Sequence, residues 1–144
     1  SHSAAGMTKR NKSMFALGST LYVYKIFGIH HCINVVTEPA GIGSAVLIRS
    51  GIPIEGADVM KINRGIVNFE MLCKGPGNLA KAFGFTLKDD GLSFLRDDLY
   101  IIDDVTRENN IQTSKRIGIT KSVELQLRYF SSDSKFVSGK ALSK

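Results

Sequence analysis

The chain has 144 residues, a length that suits one domain with a single hydrophobic core. Hydrophobic residues make up 43% of it and charged residues 22%, the balance of an ordinary globular protein rather than of a disordered chain. No apolar run reaches the roughly 18 residues that a membrane span needs, so no membrane partner is expected.

The charge of the chain is unevenly distributed. The formal net charge is +6, yet residues 88–108 hold seven acidic side chains and only three basic ones. Without that segment, the totals of 19 basic and 13 acidic residues fall to 16 and six, a net charge of +10. Such a surface favours a polyanion such as nucleic acid, although a simply solvated basic surface has the same composition.

A β-hairpin is predicted near the start of the chain. After a polar, basic loop over 1–13, residues 20–27 are rich in β-branched and aromatic residues, and a second strand-like run covers 29–36. Gly28 separates the two runs, so the tip of the hairpin is expected around this glycine.

The later part of the chain predicts shorter elements. They are a largely buried strand over 45–50 that ends on a charge, a loosely helical segment over 58–69, a helix over 79–83 capped by Asn78, and strands over 99–102, 116–119 and 125–130.

Several side chains of the hairpin allow both a structural and a binding interpretation. Regular alternation places Tyr22 and Tyr24 on one face of the strand, where they are either core residues or a platform for a base. Phe27, near the tip, is either core or a wedge. Asn34, within an apolar strand, either hydrogen-bonds the backbone of a β-bulge or reads a base edge. Arg49 is either an ion-pair partner or a site residue.

The two cysteines are too few for a disulfide framework. Cys32 and Cys73 lie in apolar surroundings, which predicts small core residues of a reduced, intracellular protein. Neither has a second Cys or His at zinc-ligand spacing, so no metal or other cofactor is expected.

A series of short motifs extends over nearly the whole chain. In their order and spacing, these motifs resemble the alkyladenine (3-methyladenine) DNA glycosylase family. The segments that carry the resemblance are Thr8-Lys9-Arg10-Asn11, Leu21-Tyr22-Val23-Tyr24, Phe27-Gly28, Cys32-Ile33-Asn34, Val46-Leu47-Ile48-Arg49, Gly75-Pro76, Arg116-Ile117-Gly118-Ile119 and Leu127-Arg128-Tyr129-Phe130.

The resemblance implies a role for each matched position of a base pocket. Tyr24 is expected to stack on a base flipped out of the duplex, with Tyr22 supporting the pocket. Phe27 is expected to enter the DNA from the minor groove, where the family commonly has a tyrosine. Asn34 is expected to disfavour guanine, and the backbone amide of His2 to read the adenine edge.

The resemblance also implies the chemistry. Arg49 and the backbone carbonyl of Ile117 are expected to position a water molecule that hydrolyses the N-glycosidic bond, without a lyase step and without a cofactor. Arg10 and Lys12, from the basic N-terminal loop, are expected to contact DNA phosphates. The implied partner is duplex DNA containing a damaged purine, bound by a monomer in the cytoplasm or nucleoid of a bacterium or the nucleus of a eukaryote.

The implied fold is α+β: one domain over residues 1–144, with a mixed, mostly antiparallel curved sheet, a protruding DNA-inserting hairpin and peripheral helices. In one respect the chain departs from the family. The family's general base is a glutamate upstream of the position that His2 matches, and the 144 residues do not include it. These residues alone are therefore expected to excise no base. The alternatives are a catalytically inactive module that binds damaged or bent DNA, or a basic RNA-binding protein.

Overall fold

The computed structural model describes residues 6–103, 110–119 and 122–139. Two α-helices, five strands and three short 3-10 helices form over these ranges. The helices are α1 (Ala57–Arg64) and α2 (Pro76–Phe83), the strands are β1 (Leu21–Ile26), β2 (His30–Val36), β3 (Ala45–Leu47), β4 (Ile111–Ser114) and β5 (Arg128–Ser131), and the 3-10 helices are Lys12–Phe15, Phe69–Met71 and Leu87–Asp89. None of the described helices is long and apolar enough to cross a membrane.

The predicted hairpin is confirmed. Strands β1 and β2 pair in antiparallel fashion, from Leu21 opposite Val35 to Ile26 opposite His30. The backbone turns between them with φ of 51° at Phe27 and 73° at Gly28. Positive φ at two successive positions is the signature of a type I′ turn, whose twist matches that of the strands it joins.

The two faces of this sheet pack against different layers. β3 joins β2 at its other edge, giving the order β1-β2-β3. On one face Leu21, Val23 and Ile33 belong to the main core, which α1 and α2 complete with residues such as Met60 and Leu79. The opposite face carries a smaller cluster.

That smaller cluster contains Met14, Tyr22 and Val36, with Tyr24 packed at its margin. Tyr22 and Val23 therefore belong to opposite faces, as strand alternation predicts.

The outer edge of β1 is covered by the beginning of the acidic segment. Leu21 donates its amide to Leu92 O and accepts from the Gly91 amide, at 2.7 and 2.9 Å. The carboxylate of Asp90 accepts the Val23 amide at 2.8 Å. Because an uncovered edge strand can pair with another chain, these bonds protect the sheet as well as stabilising it.

A second, two-stranded antiparallel sheet consists of β4 and β5, with Gln112 opposite Phe130. Arg128, at the start of β5, is only 5% exposed. Its guanidinium donates to Ser114 Oγ at 3.0 Å and to Ser138 O at 2.8 Å, and it lies 4.5 Å from the centre of the Phe130 ring. The α+β class with mostly antiparallel strands is confirmed, with the strands divided between two sheets.

The start of the second helix was predicted wrongly. α2 begins at Pro76, with Gly75 as its N-cap, and Asn78 lies inside the first turn, where its Nδ2 donates to Lys74 O at 2.7 Å. Proline suits the first helical position because the amide it lacks has no intrahelical partner there. Asn78 therefore bonds backward from within the helix instead of capping it.

Several predicted strands differ from the structure. Residues 99–102 form no strand, and only an isolated bridge joins Tyr100 to Leu95. Residues 116–119 also form none, whereas β4 occupies Ile111–Ser114. The strand predicted over 45–50 is the shorter β3, and Val46 is 59% exposed because β3 lies at the sheet edge. A short apolar run becomes a strand only where a partner strand is available.

Both cysteines are buried, as predicted. Cys32 is 2% exposed and Cys73 is 1% exposed, and neither forms a disulfide.

Candidate functional site

The tip of the hairpin exposes two large apolar side chains. Phe27 is 86% exposed and Ile29 is 72% exposed. The interpretation of all three hairpin aromatics as core residues is therefore wrong for Phe27. A protruding apolar group at the tip of a hairpin has the shape of a wedge.

The aromatic face of the hairpin lies behind this tip. The rings of Tyr22 and Tyr24 are 5.6 Å apart between centroids. Tyr22 is 2% exposed, whereas Tyr24 is half-buried. Burial, followed by the negative charge of Asp90, raises the pKa of Tyr22 to about 12. Burial also raises the pKa of Tyr24. Tyr22 is thus a core residue, and Tyr24 is the member of the pair whose ring reaches the surface.

Asn34 lies opposite Tyr22 on the neighbouring strand. It is 5% exposed, and its Nδ2 donates to the backbone carbonyl of Tyr22 at 3.0 Å. This bond gives the buried amide a partner within the hairpin and fixes its orientation beside the aromatic pair.

Arg49 follows β3 and is partly buried. Among the described residues it has no ion-pair partner, and its Nε is buried without a hydrogen bond. Burial lowers the pKa of Arg49, and the positive charge of Arg128 lowers it further. Cys32 and Tyr24 raise the pKa of Arg49, but their effect is smaller than that of burial and of Arg128. Of its two interpretations, the ion-pair partner has no support in the described part of the chain.

A cavity of about 720 Å³ separates the end of the first sheet from the second sheet. It brings together Arg49 and Ile117, and Arg116 and Arg128 also line it. No acidic residue is among the described residues that line it. A cavity with this lining attracts anions and offers donors to a polar ligand, but it contains no proton acceptor as basic as a carboxylate.

The predicted site residues thus fall into two groups. One comprises the aromatic face and tip of the hairpin, with Tyr24, Phe27 and Asn34, and none of these three lines the cavity. The other is the cavity, with Arg49 and Ile117. His2 lies outside the described residues.

The two predicted phosphate contacts differ in their surroundings. Both Arg10 and Lys12 are exposed. The Nη2 of Arg10 donates to the backbone carbonyl of Lys25 on β1 at 2.7 Å, so part of this guanidinium is used within the protein. Lys12 begins the first 3-10 helix.

Sequence reasoning missed two polar side chains, Asp90 and Arg128, that join separate segments of the chain. Asp90 bonds both Val23 and Ser13, with Ser13 Oγ donating to Asp90 Oδ2 at 2.7 Å. Arg128 holds the second sheet to the chain that follows it. An arginine within the apolar run of 125–130 was a usable signal, but no local pattern distinguishes Asp90 from the other acids of its segment. The described residues contain no group of three His, Cys, Asp or Glu side chains that could hold a metal ion.

Comparison with known proteins relates the chain to enzymes of DNA repair. The family model of methylpurine-DNA glycosylase matches residues 1–135. A relative from Chlorobium phaeobacteroides (strain BS1), named "Putative 3-methyladenine DNA glycosylase", is 49% identical over a match of 144 aligned positions that covers 99% of this chain and 72% of the relative. Relatives of the same name from Francisella tularensis subsp. tularensis (strain FSC 198) and Methanoculleus marisnigri (strain ATCC 35101 / DSM 1498 / JR1) are each 41% identical. They cover 96% and 95% of this chain, and it covers 74% and 73% of their lengths.

Proposed function

The chain belongs to the methylpurine-DNA glycosylase family, a family of DNA repair enzymes, and from this premise we propose that it extrudes an alkylated or deaminated purine from duplex DNA. The observation that carries the proposal is the exposed Phe27 on a turn directly beyond the aromatic face of the hairpin. Taking a base out of the stack leaves a gap, and an inserted apolar side chain fills it.

Tyr24 receives the extruded base in this proposal. Its half-buried ring is held from behind by Tyr22 and offers an aromatic surface on which a purine stacks. Asn34 lies on the same face and cannot turn away without breaking its bond to Tyr22. A fixed amide at this place disfavours the exocyclic amine of guanine and tolerates adenine.

Hydrolysis of the N-glycosidic bond requires an ordered water molecule. The water oxygen bonds to the sugar carbon, the bonding electrons leave with the purine, and a proton of the water passes to a base. Arg49 donates hydrogen bonds and the carbonyl of Ile117 accepts them, and both line one cavity, so together they can orient the water.

Neither group can remove the proton. Arginine stays protonated, and a backbone carbonyl is a very weak base. Because no described residue of the cavity lining is acidic, we propose that the general base is not one of these lining residues and comes from another segment. The same observation favours a second function for the 144 residues alone, namely recognition of damaged or bent DNA without chemistry.

A single-turnover assay on duplexes containing hypoxanthine or ethenoadenine tests the proposal. The 144-residue chain is compared with the same chain extended on its N-terminal side by a segment carrying the family's glutamate. We expect excision only from the extended chain, because a positioned base contributes roughly 10²–10⁴-fold. Excision by the 144 residues alone would contradict the external base.

Variants of the extended chain test the site itself. Tyr24→Ala should weaken the binding free energy for damaged duplex by roughly 1–3 kcal/mol and leave that for undamaged duplex nearly unchanged. Tyr100→Ala, which removes a tyrosine that is 60% exposed within the acidic segment, is the control and should change neither. Equal effects of the two variants would contradict the role of Tyr24.

A further inference from the structure

The backbone at Phe27 is strained, and its side chain does not hold it in place. A φ of 51° is unfavourable for any residue with a Cβ other than Asn or Asp. Such a conformation persists only where the surrounding structure over-determines it. Since the ring of Phe27 is 86% exposed, the restraint comes from the backbone: the bond across the turn, from the Ile29 amide to Ile26 O at 3.3 Å, and the two strands that lead to it.

The restraint on β1 includes a side chain from the N-terminal segment. β1 is an edge strand, and the backbone groups of alternate residues point away from β2. The amide and carbonyl of Leu21 and the amide of Val23 are bonded by residues 90–92. Nearer to the tip, the outward carbonyl of Lys25 accepts from Arg10 Nη2 at 2.7 Å. This bond is the outward contact nearest to the tip, two residues before Phe27.

Arg10 is itself well anchored. The neighbouring Asn11 is 5% exposed and bonds backward to the Thr8 amide at 2.6 Å and to Gly6 O at 3.0 Å. Ser13 ties the same segment to Asp90, which also bonds β1. The guanidinium of Arg10 therefore projects from a fixed support rather than from a free loop.

The other strand is supported by α2. Gly77 lies in the first turn of this helix, and a Cβ at that position would lie 3.3 Å from the Cβ of His30, the first residue of β2. The helix backbone at Gly77 thus lies close to the start of β2, where the chain returns from the tip. The hairpin is held on one side by Arg10 and on the other by Gly77.

We propose that Arg10 is a positioning residue, with Gly77 as its counterpart, that holds the hairpin so that Phe27 meets the DNA in one orientation. The inference rests on the proposed function of the hairpin and adds to it residues that need not touch the extruded base. Order in the free protein lowers the conformational cost of insertion, because less freedom is lost when the DNA is bound. Arg10 therefore acts through backbone order, whereas a phosphate contact acts through charge alone.

The test separates these two roles of Arg10. Arg10→Lys keeps the charge but shortens the side chain and replaces the planar fork that bonds Lys25. Lys12→Gln is the matched control, because it removes a neighbouring charge at an exposed residue that has no hydrogen bond to the hairpin among the described residues. Amide hydrogen exchange at Ile29 and His30 in the free chain reports hairpin order, and a fluorescent base at the lesion reports extrusion. The slope of affinity against salt reports phosphate contacts.

For Arg10→Lys we expect exchange about 3- to 10-fold faster at Ile29 and His30, as for loss of one hydrogen bond, with weaker extrusion and an unchanged salt slope. Lys12→Gln should change only the salt slope. Gly77→Ala should also speed exchange at His30, whereas Gly18→Ala, with ordinary contacts of 3.5 Å, should not.

Three results would overturn the inference. Unchanged hydrogen exchange and unchanged extrusion in both Arg10→Lys and Gly77→Ala would show that Arg10 acts only through its charge, as a phosphate contact. Faster exchange with undiminished extrusion would show that hairpin order does not serve insertion. A parent chain that extrudes no base would contradict the proposed function and, with it, the role of Arg10 in extrusion, even if exchange showed that Arg10 orders the hairpin.

Discussion

Asn34 carries both a structural bond and a proposed selectivity, and one substitution measures both. Asn34→Ala removes the bond to Tyr22 O and should lower the free energy of unfolding by about 1 kcal/mol. In the extended chain it should also increase excision of guanine-type relative to adenine-type substrates.

Asn63 provides the matched control for Asn34. Its Nδ2 donates to Ala82 O at 2.9 Å, far from the hairpin tip in sequence. Asn63→Ala should cost a similar free energy, measured by urea unfolding, without changing the substrate ratio. A substrate ratio that Asn34→Ala leaves unchanged would contradict the pocket assignment but not the family.

The buried hydroxyl of Tyr22 predicts a dependence of stability on alkaline pH. Its folded pKa of about 12 lies above the ordinary value of 10.0, so the folded state keeps its proton longer than the unfolded state does. The stabilising effect is complete below pH 10.0 and is lost as the pH rises toward about 12. The full loss is up to roughly 2–3 kcal/mol.

Urea unfolding between neutral pH and pH 11, compared for the parent and Tyr22→Phe, isolates this loss from the titration of lysines. The parent should lose more stability than Tyr22→Phe, and Tyr100→Phe should behave like the parent. Parallel curves for the parent and Tyr22→Phe would show that Tyr22 is not buried as a neutral group.

At the scale of the element, the hairpin turn has an exposed phenyl ring at a position where the backbone conformation is unfavourable for phenylalanine. Asparagine tolerates left-handed backbone, and Asn before Gly is a favoured type I′ turn. Phe27→Asn should therefore raise the free energy of unfolding by up to about 1 kcal/mol, because little packing is lost and strain is relieved. The same variant should abolish base extrusion.

Ile29→Asn is the control for the turn. It also removes an exposed apolar side chain, but Ile29 is not among the residues with positive φ. Its unfolding free energy should stay within about 0.5 kcal/mol of the parent. Destabilisation by Phe27→Asn would mean that the ring packs in the free protein and that the turn is not strained.

At the scale of the whole molecule, the arrangement of charge predicts how duplex DNA is bound. Phosphate contacts make affinity fall with salt, with a log–log slope of about −0.9 for each phosphate neutralised. Replacing both Arg10 and Lys12 by Gln should flatten the slope by about two such contacts. Lys88→Gln, within the acidic segment, should leave it unchanged, and an affinity independent of salt would exclude DNA as the ligand.

The order of neighbouring residues in the sequence was sufficient to predict the hairpin and the family. Alternation in β1, the glycine at position 28 and the motif order are all properties of neighbouring residues, so they predict strand faces, the turn and the residue types of the site. Phe27 at the tip and the opposite faces of Tyr22 and Val23 follow from this pattern without any tertiary contact.

Only the tertiary structure decided which polar groups are already occupied and which segments find a partner. The bond from Asp90 to Val23 spans 67 residues, and the bond from Arg10 to Lys25 reaches a strand edge that no local pattern reveals. Residues 99–102 have strand-forming side chains but form only a single bridge, whereas residues 111–114 pair with β5. Strand pairing and burial depend on contacts between segments that are far apart in the sequence. The residues on one side of such a contact do not show which residues lie on the other side.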